Sequence, residues 1–153
     1  MSLLIRSANE ADLPLLAQMN KRLIEDEGSR NPMSLNELAE RMRAWLLGDW
    51  QVKLFATDTG IAGYAVYQTR RDEYFPDQTI VYLRQFYIER EMRGQGLGTM
   101  AFRALATEDF PPGCRVVIDV LASNPRGDDF WRHVGFQPYC TTMHLQTHAI
   151  WFA

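Results

Sequence analysis

The sequence predicts an α/β (α+β) fold in one domain, and three observations carry that prediction. A chain of 153 residues suits a single core, of a size that buries roughly 70% of its unfolded surface. Short extended and helical patterns follow one another with no linker, repeat or low-complexity segment. An apolar extended stretch ending at Ile88 runs through Arg93-Gly94-Gln95-Gly96-Leu97-Gly98 into an amphipathic helix.

Leu3 to Arg6 reads as the first strand. Asn9, with Asp12 three residues on, caps a helix that turns Leu13, Leu16, Leu23 and Ile24 inward and accepts Pro14 in its first turn. Ser34 and Glu37 form a capping-box pattern before Leu35, Leu38, Ala39, Met42, Trp45 and Leu46, and Gly48 ends that helix. Val52, Leu54 and Ala56 alternate, Asp58-Thr59-Gly60 turns, and Ile61 to Gln68 returns, so the pair is a hairpin. After the turn Phe75-Pro76-Asp77-Gln78, Ile80 to Ile88 makes a long strand. Leu97, Met100, Ala101, Ala104 and Leu105 then keep helical spacing. Val116, Val117, Ile118, Val120 and Leu121 form the apolar run of a buried strand. Pro125 opens a helix with Phe130, Trp131 and Val134 inward, Gly135 stops it, and Tyr139 to Leu145 reads as a final strand.

Glycines 94, 96 and 98 stand at the start of a helix, where backbone N–H groups can converge on an anion and the helix dipole favours negative charge. That placement reads as a phosphate cradle. A P-loop is excluded, because Thr99 and Met100 follow Gly98 where Lys-Ser/Thr is needed. Gly94, Gly96 and Asp119 imitate a dinucleotide-binding turn, but Thr99 occupies the place of its third glycine. An NAD-dependent oxidoreductase is therefore a distant alternative.

Arg93, Gly96 and Gly98 match the Arg/Gln-x-x-Gly-x-Gly/Ala loop of the GCN5-related N-acetyltransferase (GNAT) family, and the chain resembles that family well beyond the loop. Ile88 stands five residues before Arg93, where the family usually has Val, and Asn124 through Gly135-Phe136 resembles its Asn-to-Gly-Phe segment. The resemblance implies a GNAT fold: a mixed central sheet of six to seven strands flanked by about four helices, with a splayed pair of parallel strands forming the acyl-CoA cleft. It implies acetyl-CoA as the acyl donor, with no metal, and direct transfer to a primary amine of a small molecule or peptide in a ternary complex. The coenzyme would be held by Phe86, Tyr87, Ile88, Arg93, Gly94, Gln95, Gly96, Leu97, Gly98, Thr99, Asn124 and Trp131. The Tyr87 main chain is the expected oxyanion donor. Asn124 reads equally as a helix cap and as a contact for the cofactor arm.

Two departures from the family stand out. The strand before the loop offers Arg84 and Gln85 where many relatives carry a basic Glu, and Glu73 and Glu89, which flank it, read either as bases acting through water or as surface glutamates. Trp131 occupies the place of the Tyr that protonates the leaving thiolate in many relatives, and Tyr139 reads either as a substitute acid or as a packed aromatic. Neither departure forbids catalysis, because a thiol with a pKa near about 8.5 leaves readily and positioning supplies on the order of 7 kcal/mol. The departures also keep a non-catalytic acyl-CoA-binding module open as the alternative. Glu25, Asp26 and Glu27 cluster at the C-terminal end of the first helix against its dipole, where they either attract a cationic amine or form a solvated face.

A formal charge of −3, with Arg41, Arg43, Arg70 and Arg71 scattered, argues against nucleic acid as a partner. No apolar run suits a membrane span and no signal-like segment opens the chain, so a cytoplasmic location is expected. Cys114 and Cys140 read as reduced core thiols, His133, His144 and His148 lack metal spacing, and a homodimer is a frequent state of relatives.

Overall fold

The computed structural model describes residues 2–148. Alternating side chains divide the apolar residues between two faces of one sheet. The strands are β1 (Leu4–Ser7), β2 (Gln51–Thr57), β3 (Gly60–Arg71), β4 (Thr79–Ile88) and β5 (Arg115–Val117), and they lie in chain order across the sheet. Pairing is antiparallel from β1 to β4, while β5 joins β4 in parallel.

On one face Leu54, Tyr64, Val66 and Tyr87 pack against Leu16, Met19 and Leu23 of α1 (Leu13–Glu27) and Met42 and Trp45 of α2 (Leu35–Leu47). On the other, Phe55, Ala65, Val81 and Leu83 pack against Leu97, Ala101 and Phe102 of α3 (Leu97–Ala104), with Trp131 of α4 (Pro125–His133) at the margin. The result is helix, sheet and helix in three layers. A π-helical turn over Leu105–Asp109 extends α3.

The caps form as their residue types dictate. Ser34 and Glu37 close a capping box on α2. Asn9 and Asp12 close one on the 3-10 turn Glu10–Asp12 that leads into α1, and Arg6 of β1 grips the Asp12 carboxylate with both terminal nitrogens, at 2.9 and 2.8 Å. Gly28, at φ 64°, ends α1.

Three expectations about the strands are corrected, and one about Cys140. Five strands occur among the described residues rather than six to seven. The run Val116 to Leu121 pairs only over Arg115–Val117, after which it leaves the sheet. Tyr139 to Leu145 forms no strand: with β5 so short it meets no edge to pair with, and Tyr139, Met143 and Leu145 are exposed. Cys114 is half-buried against the core, but Cys140 is exposed. No helix among the described residues is long and apolar enough to cross a membrane.

Candidate active site

The site begins with an irregularity in β4. Leu83 faces Tyr67 of β3 and Gln85 faces Val66, so Arg84 is an extra residue in a β-bulge. The bulge turns Arg84 and Gln85 to the same side, where Arg84 lies over the Trp45 ring and Gln85 accepts from the Tyr64 hydroxyl at 2.8 Å. Pairing with β5 stops at Tyr82 and Val117, just before it. Beyond that point the two parallel strands diverge and leave a cleft of about 520 Å³.

Phe86, Tyr87 and Ile88 form its β4 wall. The Glu89 N–H donates to Ala62 of β3 at 2.8 Å, and main-chain groups two residues apart on a strand point the same way. Tyr87 therefore turns its N–H and carbonyl toward β3, where its carbonyl lies against Gly63. The expectation of a Tyr87 main-chain oxyanion donor is corrected by this alternation. Phe86 and Ile88 face the cleft instead, and the Ile88 carbonyl accepts from Arg93 Nε at 2.8 Å.

The glycine turn closes one end. Gly94 and Gly96 have φ of 79° and 78°, left-handed angles that residues with a Cβ adopt at a cost. Gly96 caps α3, and the first helical N–H to be closed is that of Met100, onto the Gly96 carbonyl at 3.0 Å. The N–H groups of Leu97, Gly98 and Thr99 are thus left without helical partners, at the positive end of the dipole. Gly98 lets α3 approach α4: a Cβ there would come 3.0 Å from the Phe130 ring.

The opposite wall comes from α4. Asn124 accepts from the Gly127 N–H at 3.0 Å, so it caps the helix, and it also lines the cleft. Arg126, Phe130 and Trp131 complete this side, with Trp131 edge-on to Phe86 at a centroid distance of 5.2 Å.

The end of α1 forms the last wall through Leu23, Asp26 and Glu27. Arginines of the β4–α3 loop neutralise two of its acids. Arg90 pairs with Glu25 at 3.2 Å and with Asp26, and Arg93 pairs with Asp26 at 2.6 Å. The Glu27 carboxylate has no cation or donor among the described residues. Burial, reinforced by the neighbouring Asp26 charge, raises its pKa to about 7. Glu89 is held by Arg22 at 2.9 Å and by the Tyr87 hydroxyl, whose own pKa burial and that hydrogen bond push up to about 12.

The cleft thus gathers Phe86, Tyr87, Ile88, Arg93, Gly96, Gly98, Thr99, Asn124 and Trp131 with Asp26 and Glu27. Gly94 and Gln95 shape the turn outside the lining, Leu97 is buried in the core, and Glu25 is exposed. Tyr139 lies on the surface, with the Arg115 guanidinium 4.8 Å from its ring centre. Sequence reasoning missed the bulge and Arg126. Both had signals: two adjacent polar residues in an apolar strand, and a cation in the first turn of a helix, where the dipole opposes it.

Residues 18–136 match the model of the acetyltransferase (GNAT) family. None of the curated proteins matches the chain in sequence. Among solved structures it is similar to a predicted acetyltransferase of Clostridium acetobutylicum with acetyl-CoA, at 19% identity over 96% of this chain and 97% of that one, with a TM-score of 0.73. It is similar to an acetyltransferase of Trypanosoma brucei at 23% identity, 95% and 99% coverage and a TM-score of 0.68. An aminoglycoside N-acetyltransferase in complex with CoA gives 16% identity, 95% and 94% coverage and a TM-score of 0.73.

Proposed function

The chain belongs to the GNAT acetyltransferase family, and from that premise we propose that it moves an acetyl group from acetyl-CoA to a primary amine of a small molecule or peptide, by direct transfer in a ternary complex. The observation that carries this reading is the cleft that the β4 bulge opens beside the glycine turn. The pyrophosphate sits on the N–H groups of Leu97, Gly98 and Thr99, with Arg126 adding charge. Arg93 positions this loop through Asp26 and the Ile88 carbonyl. The pantetheine arm runs along Phe86 and Ile88 as a strand would, with Asn124 across from it and Trp131 against its apolar parts.

As the amine attacks, charge develops on the thioester oxygen, and of the two main-chain N–H groups that face the cleft the one on Phe86, farther along β4 from the glycine turn, is the donor aimed at it. Such a fixed donor is worth about 3 kcal/mol. The thiolate leaves without a dedicated acid, because its pKa is low enough for water to complete the protonation. Nucleic acid and membrane are not partners in this reading, and the cytoplasm is its setting. Holding the amine in place supplies on the order of 7 kcal/mol of the barrier.

Thermal shift against acetyl-CoA, CoA and NAD tests the coenzyme. At a hundredfold excess over its dissociation constant, acetyl-CoA is expected to add about 2.7 kcal/mol and raise Tm by several degrees, with no effect of NAD. Stabilisation by NAD alone overturns the reading. Thiol release from acetyl-CoA over a panel of primary amines then identifies the acceptor.

A further inference from the structure

We propose that Glu27 is the general base of the reaction, taking over from the C-terminal end of α1 the proton-accepting task that β4 has no residue to perform. This role presupposes the acetyl transfer proposed above. Within the cleft wall the acids are not equivalent: Asp26 is held by Arg90 and Arg93, and Glu89 by Arg22 and Tyr87. Glu25 is exposed and paired with Arg90. Gln85, at the bulge, is not a base and accepts from Tyr64. Glu27 alone among these carboxylates lines the cleft with no partner on its oxygens among the described residues.

Its position is fixed by main chain rather than by its own side chain. The Ser123 hydroxyl, from the loop before α4, donates to the Glu27 carbonyl at 2.6 Å, and Gly28 ends the helix directly after it. The Glu27 main chain is therefore held where α1 meets the loop before α4, and its side chain lines the cleft with its carboxylate free to accept a proton. The titratable groups that feel its charge are Asp26 on its own helix and Tyr64 of β3, while Tyr87 of β4, Arg93 of the loop and Arg126 of α4 share the lining of the cleft. Burial and the Asp26 charge keep its proton affinity near neutrality, where a base is most effective.

Each proton has a destination. The acceptor enters as an ammonium and gives one proton to the Glu27 carboxylate, which passes it to solvent. The neutral nitrogen attacks the thioester carbon, forming the C–N bond and a tetrahedral intermediate with a positive nitrogen and a negative oxygen. Collapse breaks the C–S bond, and the second nitrogen proton ends on the sulfur of CoA through water.

The test compares wild type with Glu27→Gln and Glu27→Asp, using acetyl-CoA and a panel of butylamine, phenethylamine, spermidine, kanamycin and lysyl peptides. Thermal shift by acetyl-CoA is measured on each protein alongside. Wild-type kcat/KM should rise with pH through about 7 and then level. Glu27→Gln should lose about 10²- to 10⁴-fold at pH 7, lack that inflection, and recover toward high pH as the free amine supplies itself, while acetyl-CoA stabilises it as it does wild type. Glu27→Asp should restore part of the rate. A Glu27→Gln enzyme within threefold of wild type that keeps the inflection removes Glu27 as the base and leaves the transferase reading intact. A wild-type chain that binds acetyl-CoA yet releases no thiol with any of these amines overturns both.

Discussion

At the scale of single residues, Glu27 keeps its proton to higher pH than a free glutamic acid does, and near pH 7 it divides about evenly between its two forms. Its pKa is raised on folding to about 7, so the native state binds more protons than the unfolded chain between the ordinary carboxylate range and about 7. Stability from this group is full at lower pH and is lost as pH rises through that window. Glu27→Gln should therefore be more stable than wild type at pH 8 by about 1–2 kcal/mol, after discounting for solvent at the cleft mouth. The two should be nearly equal at pH 4, below the ordinary carboxylate value, as paired thermal melts at the two pH values will report. The three acids at residues 25–27 are legible in the sequence as charges opposed by the helix dipole, because that conflict is local. Which of them is neutralised is not. Arg90 and Arg93 come from more than sixty residues away, and only the return of β4 alongside α1 brings them there. The expected Tyr87 main-chain donor fails for a similar reason: a strand's sequence fixes which side chains alternate but not which main-chain edge faces the partner.

At the scale of elements, β3 and β4 approach so closely at Gly63 that any side chain there would strike the Tyr87 carbonyl. Backbone cannot yield as a side-chain tip can, so Gly63→Ala should cost about 3 kcal/mol and lower Tm by about 6–12 °C, measurable by calorimetry. Because Gly63 faces the end of β4, the same variant should bind acetyl-CoA more weakly. The elements read correctly from sequence are those written in local chemistry: the capping box at Ser34 and Glu37, the Gly60 hairpin, and the glycine turn opening α3. Local alternation failed where partnership decides. Tyr139 to Leu145 carries a strand's pattern but meets no edge, and the apolar character that continues from Ile118 to Leu121 could not reveal that pairing ends at Val117. The bulge at Arg84 is written as two consecutive polar residues inside an apolar strand.

At the scale of the whole molecule, the three-layer arrangement and the place of the cleft are legible, because an extended strand, a glycine turn and a helix can be joined in few ways. What is not legible is how the cleft is braced. Asp26, Arg90 and Arg93 tie α1 to the loop after β4, and Ser123 ties it to the start of α4, so both helical layers meet across the opening. The divergence of β4 from β5 also has a consequence for the protein in solution. From Arg84 to Ile88 one side of β4 offers main-chain donors and acceptors to whatever extended segment arrives. Protein freed of its thioester should associate with rising concentration, and added CoA should disperse it; scattering indifferent to CoA would count against this. Dispersal by CoA is the outcome expected of a coenzyme that serves as the missing stave of the sheet as well as the reagent in the proposed reaction.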